Sequence, residues 1–196
     1  MQKVSRIKRQ TSETKIELTL TLNGSGKISI KTGAGFFDHM LTLWAVHGFF
    51  DLDLVAQGDL EVDFHHTVED IGICLGKAIC EAMGDIKDVK RYGCASIPME
   101  EAIARVDIDL CKRPFLVFDV RFPSAKIGKF DTELIEEFFR AFVINSGITL
   151  HVNVPYGKNS HHIAEAIFKA AGRALDKALQ PEPRLSGKAL SSKGVL

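Results

Sequence analysis

From residue 16 to residue 30 apolar and polar positions alternate. Ile16, Leu18, Leu20 and Leu22 fall on one side, with Glu17, Thr19 and Thr21 on the other, and Ile28 and Ile30 follow beyond Asn23-Gly24-Ser25-Gly26. A period of two is that of a strand with one buried face, and the Gly-rich interval predicts a turn, so the stretch reads as a β-hairpin. The polar segment before it, Arg6 to Thr14, has little apolar content with which to pack. A helix is expected from Phe36 to Gly48 after the loop Thr32-Gly33-Ala34-Gly35, then a strand over 51–56 that 59–62 continues or pairs with. A second helix begins at His65 with Asp63 as its N-cap and runs to about Met83.

The second half of the chain repeats this order. Ile103, Val106, Ile108 and Leu110, then Phe115, Val117 and Val120, predict two strands joined by Cys111-Lys112-Arg113-Pro114. A helix follows from Thr132 to about Ser146, a strand from Ile148 to Val154, and a last helix with Ser160 as its N-cap. Each half is thus β-β-α-β-α. Short connections predict an α+β fold built by internal duplication, with sheet on one side and helices on the other, and with the halves related by a pseudo-twofold axis. The repeats divide at residues 1–92 and 93–196, the first with its N-terminal lead-in and the second with its C-terminal tail.

The duplication is sharpest in two helices. His65-His66-Thr67-Val68-Glu69 and His161-His162-Ile163-Ala164-Glu165 both read HHxxE, lie 96 residues apart, and hold four of the seven histidines. The register continues without a gap through Ile71/Ile167, Gly76/Gly172, Lys77/Arg173, Ala78/Ala174 and Ala82/Ala178. On a helix Glu69 neighbours both His65 and His66, and Glu165 neighbours both His161 and His162. Adjacent residues, however, diverge by about 100°. One histidine of each pair is therefore expected to serve one metal ion and its neighbour a second, giving two pseudo-equivalent sites. Two helix starts carrying solvent-exposed histidines are the plainer alternative.

His39 and His47 lie eight residues apart on one face of the first helix. His39 is a core residue or a further ligand, and His47 is a helix-end cap or a substrate contact. His39 precedes its HHxxE by 26 residues and Glu137 precedes the other by 24, which makes Glu137 the counterpart of His39 or else a solvated glutamate favoured by the helix dipole. Imidazole and carboxylate donors without thiolate suit Mn, Fe or Zn rather than copper(I) or an iron–sulfur cluster.

Charge and composition narrow the partners. Lys plus Arg and Asp plus Glu each number 25, so no basic field recruits nucleic acid or an anionic membrane. No apolar run approaches the ~20 residues of a membrane span, and the N-terminus lacks the apolar core of a signal peptide. Cys74, Cys80, Cys94 and Cys111 form no CxxC and read as reduced, mostly buried thiols of a cytoplasmic protein. The tail is a frayed terminus on composition alone, yet Ser191-Ser192-Lys193 offers hydroxyls, amides and an ammonium to a phosphate, with Arg91 and Arg113 as further candidates. There is no Walker A or GxGxxG motif.

TGAGFFDHML, DFHHTVEDIGICLG, RYG, GKNSHHIAEAIFKAAGRAL and the terminal SSKGVL, in this order over nearly the whole chain, strongly resemble the imidazoleglycerol-phosphate dehydratase family. No phosphatase-like domain precedes them, as in a monofunctional form. The resemblance implies a ribosomal protein S5 domain 2-like fold and dehydration of imidazole glycerol phosphate to imidazole acetol phosphate in histidine biosynthesis. It also implies two Mn(II) ions per active site, and sites formed between subunits of an octahedral 24-subunit assembly. Carried over by motif, the metal ligands are His39, His65, His66, Glu69, Glu137, His161, His162 and Glu165. Some family members have histidine where this chain has Glu137. Glu13 matches the acid/base glutamate, and His47, Arg91, Arg113, Lys169, Ser191, Ser192 and Lys193 match substrate and phosphate contacts.

The chemistry implied needs an electron sink other than a carbonyl. A ring nitrogen facing a cation loses its proton more readily, so the substrate's own imidazole can expel the adjacent hydroxyl through a diazafulvene-like species, after which a base removes the neighbouring proton. Two rivals remain on sequence: a di-metal hydrolase that releases phosphate, and a non-catalytic metal-binding cage.

Overall fold

The computed structural model describes residues 3–193; Gly194-Val195-Leu196 of the terminal motif lies outside the described residues. The first repeat runs β1 (Lys3–Gln10), β2 (Thr14–Leu22), β3 (Ile28–Lys31), α1 (Gly35–Gly48), β4 (Asp51–Gly58), α2 (His65–Met83). The second runs β5 (Tyr92–Met99), β6 (Ala102–Asp109), β7 (Phe115–Asp119), a short ribbon of β8 (Lys126–Ile127) and β9 (Phe130–Asp131), α3 (Glu133–Ser146), β10 (Thr149–Tyr156) and α4 (Ser160–Leu179). The β-β-α-β-α order holds in both repeats, each with one more strand in front.

That extra strand corrects the reading of the lead-in as unpacked. β1 pairs antiparallel with β2 from Lys3↔Leu22 to Gln10↔Lys15. It buries only Ser5 and Ile7, so its pattern is too polar to show as a strand. Its stability comes from backbone pairing and from its turn, where the Thr11 hydroxyl accepts the Glu13 and Thr14 amides at 3.1 and 2.9 Å.

The expected hairpin is also corrected. β2 and β3 are not neighbours, because the sheet order is β1-β2-β4-β3, with β4 between them. β4 pairs antiparallel with β2 and parallel with β3. Asp51 at the start of β4 accepts the Ser25 and Lys27 amides at 2.6 and 2.8 Å and holds the interval open to admit that strand. β6 and β7 behave likewise, separated by β10 in the order β5-β6-β10-β7. Alternation specifies which face of a strand is buried, not which strand lies beside it. Residues 59–62 form a turn rather than a strand. Ser160 is not the N-cap of α4: Asn159 is, accepting the His161 amide at 2.9 Å, whereas the Ser160 hydroxyl accepts the Ser124 amide. Asp63 accepts the His65 amide at 2.6 Å from one residue before the cap position.

Each sheet lays its apolar face on its own helices, and the helices of the two repeats meet in the middle, α2 on α3 and α1 on α4. Glycines make that contact close. A Cβ on Gly76 of α2 would stand 2.5 Å from the Phe142 carbonyl oxygen of α3, and one on its register twin Gly172 of α4 would strike the Trp44 carbonyl oxygen of α1. Phe142 and Trp44 are each the tenth residue of their helix, so the pseudo-twofold relation extends to the packing. Trp44, Phe37, Phe138, Phe139 and Phe168 fill the shared core. Two cysteines, Cys74 and Cys111, are buried, while Cys80 and Cys94 are exposed, fewer buried than expected. No helix among the described residues is long and apolar enough to cross a membrane.

Candidate metal centre and active site

α1 and α4 run side by side in the same sense, which brings their N-terminal turns together. His39, the fifth residue of α1, reaches Glu165, the sixth of α4: Nε2 stands 3.0 Å from Oε1. His161 Nε2 stands 3.1 Å from the same oxygen. The other carboxylate oxygen accepts the Lys169 ammonium at 2.6 Å. Burial pushes the Glu165 carboxyl upward, but Lys169, His39 and His161 outweigh it and hold it at about 2. One donor atom each from His39, His161 and Glu165 lies within 4.8 Å of the others, a spacing and donor set fit for a divalent ion. His47, about two turns further along the same face of α1, has its imidazolium disfavoured by burial first and then by Lys169 and Arg173. It is not the helix cap, since Phe49 takes the left-handed position there.

The paired histidines diverge as the helix geometry requires. The rings of His65 and His66 are 6.1 Å apart and inclined at 88°, and those of His161 and His162 are 6.4 Å apart and inclined at 82°. The second histidine of each pair turns toward a carboxylate. His66 Nδ1 lies 2.9 Å from Asp59 Oδ2, with its Nε2 3.9 Å from Glu13 Oε1. His162 Nδ1 lies 2.7 Å from Glu101 Oε2. Glu101 Oε1 also accepts the amides of Lys158 and Asn159 at 3.0 and 2.8 Å, so that with the His162 bond its carboxyl is held down at about 2.

The counterpart of the His39 cluster is looser. His65 Nε2 stands 3.8 Å from Glu69 Oε2, both groups nearly half exposed, and Glu137 leans on Arg140 at 3.5 Å. Glu137 is nevertheless the fifth residue of α3, as His39 is of α1. Arg91 grips Asp109 through Nε and Nη2 at 2.6 and 3.0 Å and donates Nη1 to the Leu190 carbonyl, while Arg113 reaches Asp109 at 3.9 Å. Ser191 and Ser192 line the same open cleft as Arg91, and Lys193 donates its amide to the Ser191 hydroxyl. Most candidate residues thus fall in three patches: His39, His47, His161, Glu165 and Lys169; Glu13, His65, His66 and Glu69; and the arginines with the tail. His162 instead faces Glu101, and Glu137 faces Arg140.

Asp59 and Glu101 escaped the sequence reading. Glu101 precedes β6 by one residue as Glu13 precedes β2, an equivalence that appears only once the strands are placed, since the 96-residue register pairs Glu13 with Asp109.

A duplicated α+β fold with a buried carboxylate between imidazoles defines the class: a protein with a candidate histidine–carboxylate metal site. The family model described as Imidazoleglycerol-phosphate dehydratase matches residues 32–175. An imidazoleglycerol-phosphate dehydratase of Acetivibrio thermocellus is 56% identical over 190 residues, covering 97% of each chain. One of Syntrophobacter fumaroxidans is 58% identical over 190 residues, covering 97% of this chain and 96% of the other. The crystal structure of imidazoleglycerol-phosphate dehydratase from Staphylococcus aureus superposes with a TM-score of 0.83 at 43% identity, covering 91% of this chain and 99% of that one. The chain belongs to the imidazoleglycerol-phosphate dehydratase family, and is therefore an enzyme, a hydro-lyase.

Proposed function

We propose that this chain dehydrates imidazole glycerol phosphate to imidazole acetol phosphate in histidine biosynthesis, in the cytoplasm, with two Mn(II) ions per site. The reading joins family membership to one observation, the convergence of His39, His161 and Glu165 on a common point. His39, His65, His66, Glu69, Glu137, His161, His162 and Glu165 would hold the ions. When bound, the ions supply Lewis acidity to the two ring nitrogens of the substrate. Glu137 offers a carboxylate oxygen where some family members offer imidazole, and both are donors such ions accept.

The remaining roles belong to the chain. The hydroxyl leaves from the carbon attached to the imidazole, whose ring supplies the electron pair. Glu13, exposed and near His66, takes the proton from the neighbouring carbon, and the resulting enol becomes the ketone, with net loss of one water. Arg91, Arg113, Ser191, Ser192 and Lys193 would receive the phosphate, and Arg91 already ties the tail to β6 through Asp109. His47 and Lys169 would line the substrate beside His39. The half-exposure of His65 and Glu69, 3.8 Å apart, supports completion of the sites between subunits, in an octahedral 24-subunit assembly. Residues 1–92 and 93–196 would be the two units of the duplication, the second ending in the phosphate-binding tail.

The test is an assay of purified protein on imidazole glycerol phosphate. The expected result is imidazole acetol phosphate formed without inorganic phosphate, lost on chelation and restored by Mn(II). Release of inorganic phosphate instead would make the protein a di-metal hydrolase.

A further inference from the structure

Matching contacts put Glu13 and Glu101 in equivalent places. Glu13 immediately precedes Thr14, the first residue of β2, and Glu101 precedes Ala102, the first of β6. Gly58 backs onto Thr14 and Thr67 just as Gly157 backs onto Ala102 and Ile163, and Thr67 and Ile163 each follow their histidine pair by one residue. Both glutamates therefore sit on the turn that faces the second histidine of their own repeat. They do different things there. The Glu101 carboxylate is saturated by His162 Nδ1 and two backbone amides. The Glu13 carboxylate accepts no hydrogen bond among the described residues, and Asp59 from the β4–α2 connection takes Nδ1 of His66 in its stead. The other oxygen of Asp59 is buried without a partner, so among the described residues the imidazole is the one group that carboxylate bonds.

A carboxylate that receives a hydrogen from Nδ1 leaves the lone pair on Nε2, so it selects both the tautomer and the orientation in which the ring can bind a cation. We propose that Asp59 and Glu101 are the positioning residues of this enzyme, each locking the second histidine of an HHxxE pair through Nδ1 with Nε2 as the donor, and that the use of Asp59 in the first repeat is what leaves Glu13 free to carry a proton. Glu101 does a second job at once, since the same carboxylate pins Lys158 and Asn159, the lead-in that starts α4.

This inference rests on the reading of His66 and His162 as metal ligands. Its test is the Mn(II) affinity of the full-length, chelator-stripped protein, followed by the electron paramagnetic resonance signal of free Mn(II). Asp59→Ala and Glu101→Ala are each expected to weaken binding by about 10–100-fold, whereas Glu13→Gln leaves it unchanged. Asp59→Asn and Glu101→Gln, which keep an acceptor oxygen but no charge, are expected to fall between. A merely structural role would lower the unfolding temperature of the metal-free variants and leave their Mn(II) affinity as it was. Folded alanine variants that bind Mn(II) within about twofold of the unsubstituted chain overturn the proposal. If the alanine variants do not fold, amide variants indistinguishable from the unsubstituted chain overturn it as well. An unsubstituted chain that takes up no Mn(II) would instead bring down the metal reading itself, a different result from equal uptake by all.

Discussion

Glu13 and Glu101 stand one residue before equivalent strands, 2.7 Å from a histidine nitrogen in one repeat and 3.9 Å in the other. The closer one is held from three directions and has become part of the scaffold. The farther one is anchored through its own amide, which donates to the Thr11 hydroxyl at 3.1 Å, and through its neighbours: Thr14 donates its hydroxyl to Asp70, and Arg9 donates to the same carboxylate at 2.8 Å. Asp70 directly follows Glu69, and its register partner in the second repeat is Ala166, so that repeat has no such anchor. A duplicated fold can thus supply two carboxylates to equivalent places and then divide the work. One has its turn fixed while its own oxygens stay free, and the other has its oxygens committed.

The largest effect should come from the free carboxylate. Glu13→Gln is expected to lower kcat by about 10²–10⁴-fold with little change in Mn(II) binding. Near-normal turnover on imidazole glycerol phosphate would erase the functional side of the comparison. Next is the anchor. Asp70→Ala removes a mostly buried acceptor from Arg9 and Thr14 and should cost about 2–3 kcal/mol in urea unfolding. It should also depress turnover by loosening the Glu13 turn, whereas Ala166→Ser in the other repeat should leave turnover intact.

The shared packing should respond alike in both repeats. Gly76→Ala and Gly172→Ala each drive a methyl group into a backbone carbonyl and should destabilise by about 1–3 kcal/mol, by similar amounts, in the same denaturation experiment. Very different losses would mean that the pseudo-twofold packing is not energetically even. The smallest effect concerns pH. Glu165 has a carboxyl depressed to about 2 in the folded protein, so its contribution is present above the ordinary glutamate range and is lost as pH falls from about 4.5 toward about 2. Unfolding temperatures of stripped protein across that window should fall, and Glu165→Gln should flatten the fall.

The cluster of His39, His161 and Glu165 was legible in part because helices make it so. The spacing of HHxxE places each glutamate beside its histidines before any tertiary contact forms, and the common fifth position of His39 and Glu137 follows from a repeat visible as text. Glu101 becomes equivalent to Glu13 only through the placement of β2 and β6, because the 96-residue register does not pair them. Asp59 is not legible at all, since it has no counterpart in the second repeat and lies in a turn that the alternation suggested was strand.

What the amino-acid order determined by itself was periodic: which face of β2 is buried, where the four helices run, and that one unit was used twice. The first two depend on neighbours two to four residues away, within reach of local geometry, and the third on a match of residue types 96 positions apart that needs no contact at all. Tertiary structure alone decided that β4 and β10 divide the expected hairpins, that a polar lead-in becomes β1, and that Glu101 meets a histidine 61 residues later. Those outcomes turn on which backbone edges and side-chain acceptors are left unsatisfied when two sheets close over four helices, and hydrogen-bond satisfaction of that kind is a property of the assembled core rather than of any segment in it.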